Sequence, residues 1–204
     1  MKRKIFSLLA LLVMIFAVAC TGAQIWSIPL QYQPRKTYSS LQQKIGSRLG
    51  VTPFKDERPE KFYIGIHYPL QGLATRFESL PMPFDRAFQK SFGEALSWSG
   101  VKVVPISTWD GTPDSLKYID ADSVLTVEIK KFWTEGKARL LGTDIVGRAH
   151  LVMHLGVKSE GKVFTRNIEI EKEVTVPAST PERVEAMVNQ ILGDAFDTFF
   201  SSPY

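Results

Sequence analysis

Hydrophobic and polar residues alternate most regularly between residues 144 and 176. In the first half, apolar or small residues recur at Ile145, Gly147, Ala149, Leu151, Met153, Leu155 and Val157. After a polar turn at 159–162, a second run has Phe164, Ile168, Ile170, Val174 and Val176 on one face and Thr165, Asn167, Glu169, Glu171 and Glu173 on the other. Because successive strand side chains point to opposite faces, this pattern predicts a long antiparallel hairpin with one face in water.

Two further stretches carry apolar residues at helical spacing. The first, 83–99, stops before Gly100 and has a stripe at Phe84, Phe88, Phe92, Ala95, Leu96 and Ser99. The second, 181–200, starts with Thr180 as a natural N-cap and Pro181 as a natural first helical residue. Its stripe consists of Val184, Val188, Ile191, Leu192, Ala195, Phe196 and Phe199. Both stretches predict amphipathic helices that bury one side.

Shorter apolar runs predict four more strands, at 49–54, 62–66, 101–106 and 122–129. The stretch 67–82 shows no periodicity and predicts a long loop, and the Glu-Gly-Lys triplets at 135–137 and 160–162 predict hairpin turns. Helical stripes and a one-sided sheet must cover each other. We therefore predict an α+β fold: a single domain, with a mostly antiparallel sheet and two amphipathic helices packed on one face.

The N-terminal residues have the pattern of a cleaved leader. Three cations at 2–4 precede an apolar run at 5–18, which is shorter than the ~20 residues needed to span a bilayer. The run ends at Cys20, the one cysteine of the chain, in a sequence that resembles a bacterial lipobox. By that resemblance Cys20 is the lipid attachment site and the mature N-terminus, carrying a diacylglyceryl thioether and an N-acyl chain. An ordinary secretory peptide cut near Ala19 is the alternative.

The predicted organisation is thus a signal peptide at 1–19, a lipid-anchored tether at 20–45 and a periplasmic domain at 46–204. The tether includes an alternating segment, 28–34, typical of a short edge strand. The leader takes three of the 25 cations with it, so 22 remain against 21 anions, and no concentrated basic patch is left for nucleic acid. No acid precedes Asp56, so the tether is basic and either solvated or attracted to anionic lipid headgroups.

Catalytic and metal-binding chemistry has little support in the sequence. His150 and His154 share a strand face but would lie about 13 Å apart, too far to hold one metal ion, and His67 stands alone. Asp120 and Asp122 could be paired carboxylates, but capping or solvated roles are favoured. We therefore predict a non-catalytic protein with no metal site and no cofactor.

The tryptophans leave a binding surface open. Trp98, Trp109 and Trp133, with the phenylalanines of the first helix, could line a lipid or glycan groove. Aromatic side chains are more often part of the core, and we favour a core role.

Beyond the leader, the segments 28–34 and 51–59 and the pair Ile64–Gly65 resemble the YajG-like family of bacterial envelope lipoproteins. Its members have a lipidated cysteine, a short apolar-tyrosine-proline segment and a strand ending in Asp-x-Arg, here Asp56 and Arg58. The resemblance implies a compact α/β sandwich and no enzyme activity. Asp56 and Arg58 are candidate binding residues, although a structural ion pair that fixes the turn is favoured.

These patterns place the protein at the outer membrane, lipid-anchored and facing the periplasm, since Thr21 replaces the aspartate that usually retains lipoproteins at the inner membrane. Membrane attachment through lipidated Cys20 and an envelope protein partner of unknown identity are the expected interactions. We expect a role by protein contact in outer-membrane or envelope assembly. The alternative is a lipid-handling accessory of an export or ABC-type transport system, which requires a groove between the helices and the sheet.

Overall fold

The structure is a computed structural model that describes residues 24–33, 38 and 40–204. The predicted signal peptide and Cys20 lie outside the described residues. The described strands are β1 (Ile25–Ile28), β2 (Arg48–Val51), β3 (Lys55–Asp56), β4 (Tyr63–Tyr68), β5 (Thr75–Ser79), β6 (Lys102–Pro105), β7 (Ser123–Arg139), β8 (Gly142–Val157) and β9 (Lys162–Val176). The helices are α1 (Leu41–Ile45), α2 (Phe84–Trp98), a 3-10 helix (Asp114–Tyr118) and α3 (Pro181–Ser201). Within this part of the chain, no helix combines the length and apolar character needed to cross a bilayer.

All the described strands belong to one sheet, and the long antiparallel hairpin is confirmed. β8 pairs antiparallel with both β9 and β7 along almost its whole length. The short strands β2, β3 and β4 pair in parallel with β7, one after another along its other edge. The fold is therefore a single α+β domain as predicted, and its two longest ladders are antiparallel. The sheet is mixed rather than purely antiparallel, because the short strands follow the direction of β7.

Both amphipathic helices are confirmed and cover the same face of the sheet. Thr180 caps α3 by accepting a hydrogen bond from the backbone N–H of Arg183. The predicted stripe residues of α3 are all fully buried, and those of α2 are buried from Phe84 to Leu96. Phe88 of α2 contacts Phe132 of β7 and Phe196 of α3, with ring centroids 5.9 and 5.2 Å apart. This aromatic cluster forms the centre of the core.

Two local predictions are wrong. The triplet at 135–137 lies inside β7, and the β7–β8 turn comes later, at 140–141; the second triplet does form a turn, with Gly161 at φ 61°. The expected loop at 67–82 contains β5, which pairs with β4 and has a single large apolar residue, Phe77, in its centre. Such a short strand carries too little alternation to stand out, because its pairing and not its own pattern defines it.

The expected tether at 20–45 differs most from the structure. β1 pairs in parallel with β5, and Ile28, Leu30 and Tyr32 are buried against the helices. The helix α1, which the sequence did not predict, buries Leu41 and Ile45. Residues 25–32 and 41–45 are therefore part of the domain, so the boundary expected at residue 46 is too late. The edge strand predicted at 28–34 lies earlier in the structure: β1 ends at Ile28, directly before Pro29, and residues 29–33 form no strand.

Candidate functional site

Asp56 and Arg58, the motif residues, form a buried ion pair at the end of β3. The Arg58 side chain is only 3% exposed, and its Nε and Nη2 donate to the two Asp56 carboxylate oxygens at 2.9 Å each. Its guanidinium also donates to the backbone carbonyls of Lys61, Tyr63 and Phe132 at 3.3, 3.1 and 3.5 Å. The pair therefore holds together the segment that links β3 to β4.

The surroundings of this pair are mostly protein, since the two side chains are only 3% and 14% exposed. The guanidinium carbon lies 3.9 Å from the ring centroid of Phe84, so the first turn of α2 covers it. Burial raises the pKa of the Asp56 carboxyl, but the hydrogen bonds and charge of Arg58, with help from Lys61, outweigh burial and lower that pKa below its usual value. The hydrogen bonds that the Arg58 guanidinium donates go to the Asp56 carboxylate and to backbone carbonyls of the protein, which supports a structural role.

The other polar candidates also serve the fold. Asp120 accepts two hydrogen bonds from the Arg48 guanidinium, at 2.9 Å each. Asp122 accepts from the backbone N–H groups of Ser47 and Arg48 at 2.8 and 2.9 Å, so it caps the start of β2. The favoured interpretation of these aspartates as capping or solvated residues is confirmed.

The histidines lie apart from one another. His150 faces Glu169 at 3.8 Å and His154 contacts Thr165 at 2.9 Å, both on the open face of the sheet. The sequence predicted His67 in a loop, but the structure places it in β4. There its ring stacks on Trp26, and burial lowers its pKa. Among the described residues, no three His, Cys, Asp or Glu side chains are arranged to hold a metal ion.

The surface groove beside α2 is a candidate contact site. It encloses about 370 Å³ and is lined by both apolar and polar side chains from the segment after β1, the segment before α2 and helix α2 itself. Its walls include Leu30, Leu80, Met82 and Trp98. Trp98 is 55% exposed, so the expectation of a core role is wrong for this residue. Trp109 and Trp133 are partly buried.

The floor of this groove is fixed by contacts to both helices. Tyr32 lies under Trp98 with ring centroids 5.8 Å apart, and its hydroxyl donates to Asp197 of α3 at 2.6 Å. Ser91 of α2 donates to the Leu30 carbonyl at 3.0 Å. A rim of opposite charges, Lys90 and Glu94, borders the groove on α2. The site is thus a preformed surface in which apolar side chains, Trp98 among them, lie beside polar and charged ones, a mixture that protein contacts also have.

A lipid groove between the helices and the sheet finds no support in the packing there. That interface is filled by side chains that are at most 1% exposed: Phe88, Phe92, Phe132, Ile145, Leu151, Ile191, Phe196 and Phe199. The facing Gly147 has Ile191 and Met187 at 3.0 Å from where a Cβ would stand, so even a methyl group is a tight fit. This density disfavours the lipid-handling alternative.

Comparison with known proteins identifies similar structures but no family. No protein-family model and no curated protein sequence matches the chain. Protein XCC0632 from Xanthomonas campestris, described as DUF330, has a TM-score of 0.52 at 14% identity over 88% of this chain and 93% of its own. An uncharacterised protein has a TM-score of 0.50 at 13% identity over 89% and 99%. Lipoprotein GNA1162 from Neisseria meningitidis has a TM-score of 0.38 at 15% identity over 72% and 96%.

These comparisons bear on the fold. The first two structures cover most of both chains, so this arrangement of helices on a sheet exists in solved proteins. At a TM-score of 0.38, the likeness to the Neisseria lipoprotein carries no argument. The similar structures thus include DUF330 and lipoprotein examples, and the YajG-like family itself stays a prediction.

Proposed function

We propose that this protein is a non-catalytic, lipid-anchored lipoprotein of the outer membrane that faces the periplasm and acts by binding another envelope protein. The observation that carries the proposal is the exposed Trp98 in a preformed groove of mixed polarity. Tryptophan is strongly enriched among the residues that dominate binding energy at protein interfaces. A tryptophan held on a rigid helix against Tyr32 presents a large apolar area at little entropic cost.

The partner's chemistry follows from the groove. Its lining includes the apolar Leu80, Met82 and Trp98 and also one cation and one anion, Lys90 and Glu94. An apolar side chain of the partner would pack on Trp98 and Met82 while polar groups meet the rim. Because the groove is already formed by the packing of 29–32 between the two helices, binding would need little rearrangement of this chain.

Two experiments test the two parts of this proposal. For the anchor, cells expressing the wild type or Cys20→Ala are labelled with radioactive palmitate, and only the wild type should incorporate it. Equal labelling of both proteins would contradict lipidation at Cys20. Density-gradient fractionation of the membranes then tests the outer-membrane location.

For the contact, a photocrosslinking amino acid is placed at Trp98 or Met82 in cells. The matched control is Tyr118, which is 82% exposed, lies on the 3-10 helix and is not among the residues that line the groove. A defined adduct with one envelope protein should form from positions 98 and 82 and not from 118, and Lys90→Glu should weaken it. Adducts of equal yield from all three positions, or none from the groove, would contradict binding there.

A further inference from the structure

Four leucines project from one end of the sheet. Leu140 and Leu141 form the tip of the β7–β8 hairpin and are 91% and 97% exposed. Leu70 and Leu73 lie in the β4–β5 connection and are 59% and 57% exposed. We call these residues the leucine tips. An exposed leucine at a turn does not stabilise the fold, and four at the same end of a molecule indicate a surface that meets something apolar.

The strand registers bring the two connections to the same end. β4 runs parallel to β7, with Tyr68 opposite Lys137, so both strands finish together. β5 then returns antiparallel to β4 from Thr75, which pairs with His67. The β4–β5 connection and the β7–β8 turn therefore emerge side by side.

The N-terminal strand starts at this same end. β1 is parallel to β5, and Ile25 of β1 lies opposite Arg76 of β5. On the other side of β5, Arg76 lies opposite Ile66 of β4, and Ile66 lies opposite Glu135 of β7. Ile25 is thus level with Glu135, and β1 runs from there away from the end that carries the leucine tips. Leu140 follows Glu135 by five residues, and Cys20 precedes Ile25 by five residues. Five residues span at most roughly 17 Å, so Cys20 can reach the level of the tips.

We propose that the leucine tips insert into the membrane leaflet that holds the acyl chains of Cys20, so that the domain stands on the bilayer with β7 pointing into it. This proposal rests on the proposed lipid anchor. Lys137 lies beside the hairpin tip on β7, where it can meet lipid phosphates while the leucines enter the acyl region; Arg139, next to the tip, is paired with Asp144 of β8. The acyl chains supply the affinity, and the leucine tips set the orientation.

This orientation also places the Trp98 groove away from the membrane. Trp98 ends α2, and the chain returns to the sheet at Lys102, which pairs with Arg48. The next residue of β2, Leu49, pairs with Ser123 at the start of β7, the end opposite the leucine tips. A domain standing on its leucine tips would therefore hold the groove out in the periplasm.

The test uses the full-length lipoprotein purified in detergent and reconstituted in phosphatidylethanolamine–phosphatidylglycerol vesicles. Leu141→Cys and Leu73→Cys are labelled with the environment-sensitive dye NBD, and Ser159→Cys, in the β8–β9 turn at the other end, is the matched control. A thioether-linked Cys20 cannot take the dye, so each variant carries one label. Intact mass of each protein records the acyl chains.

The expected result is several-fold higher, blue-shifted NBD emission at positions 141 and 73, with quenching by spin-labelled lipids, and an aqueous signal at 159. Adding Leu140→Asp to the Leu73→Cys protein should reduce the shift at 73 without changing the melting temperature, since the side chain is exposed. An aqueous signal at position 141 in an acylated protein would overturn the insertion of the leucine tips but leave the lipid anchor intact. A blue shift without lipid quenching would also overturn it, because a protein contact would then cover the tips. A mass without acyl chains would overturn the anchor, and this inference with it.

Discussion

Replacing Arg58 with methionine separates a structural ion pair from a binding residue. The substitution removes the guanidinium but keeps an unbranched stem that can still pack on Phe84. It leaves the Asp56 carboxylate, with a side chain only 14% exposed, without its main counter-charge. It also removes the donors to three backbone carbonyls. Each of these losses acts on the folded state, and none depends on a ligand.

The size of the effect follows from how deeply the pair is buried. Removing one partner of a buried ion pair costs about 3–5 kcal/mol, since the remaining charge has lost both water and its partner. That is a large part of the roughly 5–15 kcal/mol by which a domain is stable. Arg148→Met is the matched control: Arg148 contacts Glu171 at 2.8 Å on the open sheet face, where both side chains are more than a third exposed. An exposed pair of this kind contributes roughly 0–1 kcal/mol.

The assay is urea unfolding of the unlipidated chain beginning at residue 21, followed by far-UV circular dichroism. We expect Arg58→Met to lower the free energy of unfolding by about 3 kcal/mol or more, and Arg148→Met to lower it by about 1 kcal/mol or less. The difference between the two variants should therefore be about 2 kcal/mol or more. If the two variants unfold at the same urea concentration, the pair is not structural, and Arg58 is free for binding.

The same pair predicts a pH dependence with a definite sign. The pKa of Asp56 is lower in the folded protein than in the unfolded chain, so its contribution is complete above the unfolded value of about 3.9 and is lost as pH falls through the folded value. Asp56→Asn should therefore reduce the difference in melting temperature between pH 7 and pH 3. An unchanged difference in this variant would show that other carboxyls carry the acid sensitivity.

Three further predictions test the packing by thermal and urea unfolding. Gly65→Ala should destabilise by about 1–3 kcal/mol, because its Cβ would lie 2.1 Å from the Thr134 carbonyl oxygen. Gly93→Ala on helix α2, whose Cβ would meet only Val103 at 4.0 Å, should instead stabilise by about 0.5–1 kcal/mol. The opposite signs would contradict the register of β4 on β7. Phe196→Ala should cost about 3–5 kcal/mol, and a wild-type melt combined with loss of a crosslinked partner would instead make α3 an interface. A chain without residues 24–33 should lose cooperative unfolding, whereas a chain that starts at residue 24 should keep it, because this segment contacts both helices. Equal melting curves for the two chains would show that the segment is a tether and not part of the domain.

The features predicted correctly are those with long periodic patterns. The β8–β9 hairpin and the two amphipathic helices repeat their apolar spacing over 15 residues or more, so local sequence defines them. β1 and β5 are only four and five residues long. They form strands because β1 pairs with β5 and β5 pairs with β4. No local pattern contains that information. The parallel direction of β2, β3 and β4 depends in the same way on β7, which follows them in the chain.

The two candidate sites differ for the same reason. Asp56 and Arg58 are two residues apart, so their pairing could be predicted from the motif itself. The groove joins Leu30, Leu80 and Trp98, which are far apart in sequence and meet only after folding. Trp98 offered one usable signal, since it falls beside the apolar stripe of α2 and not on it. Its exposure could therefore have been inferred, but its neighbours could not.

The position of Arg58 explains why an arginine is required there. After β3 the chain leaves the edge of β7 and returns only at β4, so the carbonyls of Lys61 and Tyr63 and that of Phe132 on β7 need donors. Arginine has five N–H groups in a planar fork, which can bind a carboxylate with one side and carbonyls with the other. A lysine ammonium keeps the charge but is a compact point with three donors. Arg58→Lys should therefore unfold close to Arg58→Met in urea, and a stability close to the wild type would show that the charge alone holds this junction.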